Sequence, residues 1–240
     1  HNLSIEPTPL TLSRYIAHTS QFIASAPKYL TGAQHFLKSI YPDFGSNRNS
    51  ALVQATINGS RKLRADPVKR KLPIRPSHLL IFEQRYYGNP SYDNLLFLVT
   101  ISCMFYGCHR SGELVVKGSR STINYRKIIK RSSLHFENGH AGYRLPYHKA
   151  DRFYRGTDIL LSRQQIADPI FLLGLYRTCR DNIHGPRAEL FLRKDGSLPT
   201  RSWFDKHFFS VLSRDYGGHS VRAGAATWFA RIGISEGVIQ

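Results

Sequence analysis

The chain has 240 residues and a formal net charge of +18 at pH 7, from 34 Lys and Arg against 16 Asp and Glu. With 41% hydrophobic and 21% charged residues it can fill a sizeable core, which excludes a disordered chain; the length suits one medium domain with a smaller companion. A cationic excess of this size on a folded protein points to a polyanionic partner, nucleic acid before an acidic membrane. Three cysteines, Cys103, Cys108 and Cys179, show no CxxC pair, so they give neither a disulfide framework nor a zinc module and suit a reducing compartment. No secretory signal opens the sequence, and the longest apolar run, LLFLVTISCMF from Leu95, is too short to span a bilayer. The chain starts at His1, its one methionine is Met104, and it stops at Gln240 inside an expected helix, so both ends are expected to be trimmed.

Residues 7–58 hold several short helices: PLTLSRYIAHTSQFIAS, TGAQHFLKSIYP and SALVQATINGS place apolar residues at helical spacing, with Thr11, Thr31 and Ser50 as caps. Next, RKLRADPVKRKLPIRP sets Arg61, Lys62, Arg64, Lys69, Arg70, Lys71 and Arg75 against Asp66 alone, interrupted by prolines, and reads as a basic linker over 61–75. Such a segment can be a solvated tether, or it can lie along DNA phosphates. A second domain, 76–240, opens with the helices SHLLIFEQRYY and YDNLLFLVTISCMFYG, the latter apolar on all sides and central to the core, ending near Gly107. Asn138-Gly139 signals a hairpin between alternating segments, and a turn around KADRFYRG leads into TDILL. From Asp168 the chain is mostly helical, with a loop at RKDGSLPT and an amphipathic helix over TRSWFDKHFFSVLSRDY. The expected class is mainly α with a small antiparallel β-sheet (α+β): a helical domain over 1–60, the linker, and a mixed domain over 76–240.

In GGHSVRAGAATWFARIGIS, His219 and Arg222 stand three residues apart and share one face of a helix, so both can address one ligand. Gly217 and Gly218 allow a sharp turn into a helix start whose free amides favour an anion, and the run Ala223 to Ala226 permits close packing. Gly233 then stops the helix, and Ser235 can cap another. For an isolated HxxR, a capping histidine and a surface cation are the ordinary explanation. Arg110 follows the most apolar helix with Glu113 three residues on, which alone is a local ion pair worth at most about 0.5 kcal/mol if exposed. Lys149 sits in a turn after a strand, where a hairpin can carry its ammonium into a groove. Two arginines, a histidine and a lysine suit metal-free chemistry on a phosphodiester: arginine forks hold the non-bridging oxygens and a lysine protonates the departing alkoxide. Metal-dependent nucleases need convergent carboxylates, and the acids here form no such set. His135, His140, His148 and the Cys108-His109 pair lack metal-ligand spacing, so no metal and no cofactor is expected.

Together these segments resemble the tyrosine recombinases, closest to the Cre and Crypton-type members. GGHSVRAGAATWFARIGIS is similar to the family's HxxR segment, FYGCHRSGEL to its first-arginine motif and LPYHKADRFYRGTDILL to the hairpin of its lysine. LFLRKDGSLPT fits the layout before the last helices, and PTPLTLSRYIAHTSQFIAS through RKLPIRPSHL resembles the helical core-binding domain and the passage out of it. The resemblance implies Arg110, Arg222 and His219 on the scissile phosphate, Lys149 at the leaving 5′ oxygen and Glu113 supporting Arg110. It further implies a tyrosine nucleophile that forms a 3′-phosphotyrosyl bond without ATP or cofactor, duplex DNA as partner and a homo-tetramer on two sites. The family's further histidine or tryptophan and its nucleophilic tyrosine lie beyond the helix that Ser235 starts, and none of the 13 tyrosines takes that position. The catalytic domain is therefore expected to be C-terminally truncated, binding DNA without forming the covalent bond in cis. A non-catalytic DNA-binding protein derived from a mobile-element recombinase is the alternative; an RNA-binding protein lacks its aromatic recognition motif. The expected location is the nucleus in a eukaryote and otherwise the cytoplasm, without secretion.

Overall fold

The computed structural model describes residues 5–65, 70–88, 90–118, 123–148, 151, 153–235 and 237. The chain divides into two compact units, His1–Arg70 and Lys71–Gln240. The first holds α1 (Pro9–Thr19), α2 (Ala26–Leu37), α3 (Phe44–Arg48) and α4 (Ala51–Arg64). Pro9 presets the first turn of α1 while Thr8 Oγ1 accepts the Thr11 N–H at 3.2 Å, so the cap stands three residues before the threonine expected to provide it. Leu12 and Ile16 on α1 and Val53 and Ile57 on α4 are each four residues apart, so each helix turns one apolar stripe into a core completed by Leu30 and Phe44. Thr31 is no cap: it lies inside α2, where its hydroxyl and Gln34 accept the two Nη groups of Arg48 at 2.9 Å and tie α2 to α3. Ser50 precedes α4 without a side-chain capping bond.

The basic run expected as a linker from Arg61 is helical at its start. Arg61, Lys62 and Arg64 form the last turn of α4, where cations meet the negative end of the helix dipole, and left-handed Ala65 (φ 44°) ends it. Lys69 lies outside the described residues.

The second unit is built round α6 (Tyr92–Tyr106), which Ser91 caps by accepting the Asn94 N–H at 3.1 Å. Every residue from Leu96 to Tyr106 is buried, and its polar groups are satisfied: Thr100 Oγ1 donates to the Leu96 carbonyl at 2.7 Å and Ser102 Oγ to that of Ala167 at 2.6 Å. The core around it takes Phe82 from α5 (Pro76–Tyr87), Leu172, Leu173 and Tyr176 from α8 (Pro169–His184), and Phe204 and Phe208 from α9 (Arg201–Phe209). Val221 and Ala225 come from α10 (Gly218–Arg231). The amphipathic helix expected to reach Tyr216 stops at Phe209, because the Tyr86 hydroxyl donates to the His207 carbonyl at 2.7 Å and Val211 N–H turns to Phe208 instead.

A three-stranded antiparallel sheet, β1 (His135–Glu137), β2 (His140–Leu145) and β3 (Thr157–Ser162) in that order, stands beside this core. Asn138 and Gly139 both take left-handed angles (φ 48° and 76°), as a two-residue hairpin requires, and set the register Phe136 opposite Ala141. Tyr143 pairs with Ile159 across β2 and β3. In the loop between these strands Asp151 accepts the N–H groups of Gly156 at 2.8 Å and of Phe153 and Arg155 at 3.1 Å, bonds that hold its carboxyl below the usual carboxylate range against the opposing effect of desolvation.

The chain enters this unit along α10. Leu72 N–H donates to the Asp215 carbonyl at 2.9 Å and Ile74 N–H to that of Ser220 at 3.0 Å. The approach is possible because residue 224 is glycine: a Cβ there would stand 1.8 Å from the Ile74 carbonyl oxygen.

Candidate functional site

The site grows from the end of α6. Cys108, not Gly107, takes the left-handed conformation (φ 49°), and the N–H groups of Cys108 and His109 bond back to the carbonyls of Phe105 and Met104 at 3.1 and 2.9 Å. This is the closing turn that helices usually give to glycine, at a cost of roughly 1 kcal/mol for another residue. It sends the next two side chains apart: His109 turns into the core and is 1% exposed, whereas the Arg110 side chain is 37% exposed.

Glu113, at the third position of the short helix α7 (Ser111–Leu114), gathers this corner. Its Oε2 accepts the Arg110 N–H at 2.9 Å and faces His109 Nδ1 at 3.3 Å, while Oε1 accepts from Arg110 Nη1 at 3.3 Å. Burial alone would raise its pKa, but the bonds from His109 and from the Arg110 backbone outweigh it and hold the carboxyl below its ordinary value. Arg222, half-buried on α10, donates Nη1 to the Cys108 carbonyl at 2.8 Å, two residues before Arg110. At the start of α10 Gly217 is extended, a conformation open to any residue; Gly218 is the glycine with a reason, since a Cβ there would come within 2.7 Å of Ser111 Oγ and both Nη atoms of Arg201.

Two cavities meet at Arg110, Glu113 and His148. The larger, about 780 Å³, adds Arg222, and the smaller, about 460 Å³, adds His219, Lys117, Lys127 and Arg201. His219 and Arg222 therefore lie in different cavities, both walled by Arg110. The carboxylates of the larger cavity, Glu113 and Asp158, are each bonded to an arginine, Arg110 and Arg144. Its tyrosine, Tyr106, donates to the Ile166 carbonyl at 2.7 Å, and burial pushes its pKa well up. Lys149 lies outside the described residues, next to His148. Among the described residues no cluster of His, Cys, Asp and Glu can hold a metal ion.

Solved structures share this architecture. A XerH site-specific recombinase bound to a palindromic difH substrate, a post-cleavage complex, matches with a TM-score of 0.63 at 16% identity, over 97% of this chain and 64% of that one. The fold is that of the tyrosine recombinases. A pre-cleavage complex of XerH with difH matches at a TM-score of 0.57 and 15% identity, over 100% and 66% of the two chains. The chain thus spans just under two thirds of these recombinases. No family model and no curated protein matches the sequence.

On this recombinase fold the cations expected to lie along DNA are divided. Arg61 and Lys62 are exposed on α4, Arg64 Nη1 donates to the Ser20 carbonyl at 2.9 Å, Arg70 is exposed, and Lys71 Nζ donates to the Arg214 carbonyl. Sequence reasoning missed two residues of the site. The four-residue spacing of His109 and Glu113 was available as a signal, whereas nothing local marks Arg201, whose cavity is assembled from distant segments.

Proposed function

We propose that the protein binds duplex DNA and that Arg110 and Arg222, with His219 approaching from the adjoining cavity that Arg110 also walls, hold the scissile phosphate in a strand breakage and rejoining reaction of the tyrosine recombinase type. One observation carries this reading: two arginines from distant segments, Arg110 held by Glu113 and Arg222 by the Cys108 carbonyl two residues before Arg110, open into one cavity whose carboxylates are already paired. Such guanidiniums have their free N–H groups available for an anion, and they stabilise the charge that builds on a pentavalent phosphorus. In the reaction a tyrosine Oη attacks phosphorus, the bond to the 5′ oxygen breaks, and that oxygen takes a proton from Lys149. The 3′-phosphotyrosyl ester keeps the energy of the broken linkage, so a 5′ hydroxyl reverses the step without ATP. On the family resemblance this reading takes the nucleophile from outside residues 1–240; within them Tyr106 donates to the Ile166 carbonyl and Tyr143 is wholly buried. Assembly on two paired sites belongs to the same reading.

Covalent capture tests it. A longer form carrying the tyrosine, incubated with nicked duplex DNA, should give a protein–DNA band on a denaturing gel that Arg222→Ala abolishes while overall affinity falls only modestly. Tight, salt-sensitive binding without a band means a DNA-binding protein that has lost the chemistry. A wild-type rate of cleavage by Arg222→Ala removes that residue from the site.

A further inference from the structure

We infer that His109 is a positioning residue of the phosphate site: it holds the Glu113 carboxylate in the orientation that presents the Arg110 guanidinium, and it ties this corner to β2. The inference rests on the DNA-binding reading above. His109 stands directly before Arg110, points the opposite way and is sealed from solvent. Its Nδ1 faces Glu113 Oε2 at 3.3 Å, and its Nε2 lies 2.7 Å from the Tyr143 hydroxyl, with the two rings stacked 15° from parallel.

The Glu113 carboxylate fixes the role of Nδ1. An ionised carboxylate only accepts, so Nδ1 donates to Glu113. Tyr143, whose pKa burial raises well above normal, keeps its proton, and its hydroxyl stands between Nε2 of His109 and the Cys103 thiol. The next neighbour, Cys103, is likewise held as a neutral thiol, pushed up to about 12 by burial. The seat for the ring is built by Gly107, where a Cβ would come within 2.8 Å of the imidazole. A leucine would fill that space as well, yet it would leave Oε2 with only the Arg110 N–H and free the carboxylate to turn. Tyr143 lies inside β2, so one buried imidazole links the arginine corner to that strand.

The test uses the full 240-residue chain and the salt dependence of its binding to a duplex. Each phosphate contact contributes about 0.9 to the slope of log K against log salt. Arg110→Ala should lower the slope by about that amount, His109→Leu should reproduce most of the loss, and the double variant should lose no more than Arg110→Ala. His109→Asn keeps a donor where Nδ1 stood and should retain the wild-type slope; His109→Gln reaches Tyr143 but not Glu113 and should behave as His109→Leu. A merely structural role would lower the melting temperature of all three His109 variants and leave their slopes alike, which overturns the inference, as does a double variant with additive losses. Should His109→Leu fail to fold, equal slopes for His109→Asn and His109→Gln overturn it on their own. Failure of the wild type to bind duplex DNA, or an Arg110→Ala slope equal to wild type, overturns the DNA-binding reading instead.

Discussion

Glu113 shows what one carboxylate does when it is both half-buried and fully engaged. It accepts from the Arg110 backbone and guanidinium and from His109, so replacing it by Gln removes the charge while keeping the shape. Losing charge-assisted bonds at a half-buried site costs on the order of 1–3 kcal/mol. At roughly 2–4 °C per kcal/mol for a unit of this size, thermal melts at pH 7 should show Glu113→Gln several degrees below wild type. The folded-state pKa of Glu113 is lowered, so this stabilisation is fully present above the ordinary value of 4.5 and disappears as pH falls below it through the lowered value. The two melting temperatures should therefore converge in acid; a constant gap down to pH 3 would assign the difference to packing alone.

At the scale of elements, α10 carries both His219 and Arg222, and the segment 71–75 lies along it through the close approach at residue 224. Gly224→Ala meets backbone, not a movable side chain, so α10 or the segment must shift and the bonds of Leu72 and Ile74 are lost; a cost of about 3 kcal/mol is expected. Gly174→Ala, inside α8 with open space around it, should instead stabilise by about 0.5–1 kcal/mol. Denaturant titration of both separates contact from helix propensity, and equal effects would refute the close-approach argument. The run Ala223 to Ala226 made that packing legible in the sequence, and so did the Asn138-Gly139 hairpin and the apolar α6, since each is a local pattern. What stayed illegible was set by distant partners. The end of α9 depends on Tyr86, more than a hundred residues away, and α4 passes into the basic run because nothing breaks it before Ala65. Arg110 and Glu113 were readable as a pair, but their third partner, His109, gains its meaning only once Tyr143 on β2 is placed beside it.

At the scale of the whole molecule, the charge is cationic in both units: nine Lys and Arg against three acids over residues 1–70, and 25 against 13 over residues 71–240. Among the described residues the ion pairs use arginine, apart from His109, as in Arg131–Asp181, Arg144–Asp158, Arg187–Glu189 and Arg201–Asp205. The paired acids are thereby neutralised within the second unit, and the cationic excess carries the field that an anion meets. If both units lie on DNA, some 6–10 phosphates are neutralised, and affinity for a duplex should fall by about 10³–10⁵ between 50 and 200 mM salt. Arg61 and Lys62, exposed on the last turn of α4, test whether the first unit takes part. Replacing both by Gln should reduce the slope of log K against log salt by about 1.8 while leaving the melting temperature within a degree or two, because neither side chain is buried. An unchanged slope in that variant would confine the DNA contacts to the second unit and leave the first with its positive charge directed elsewhere.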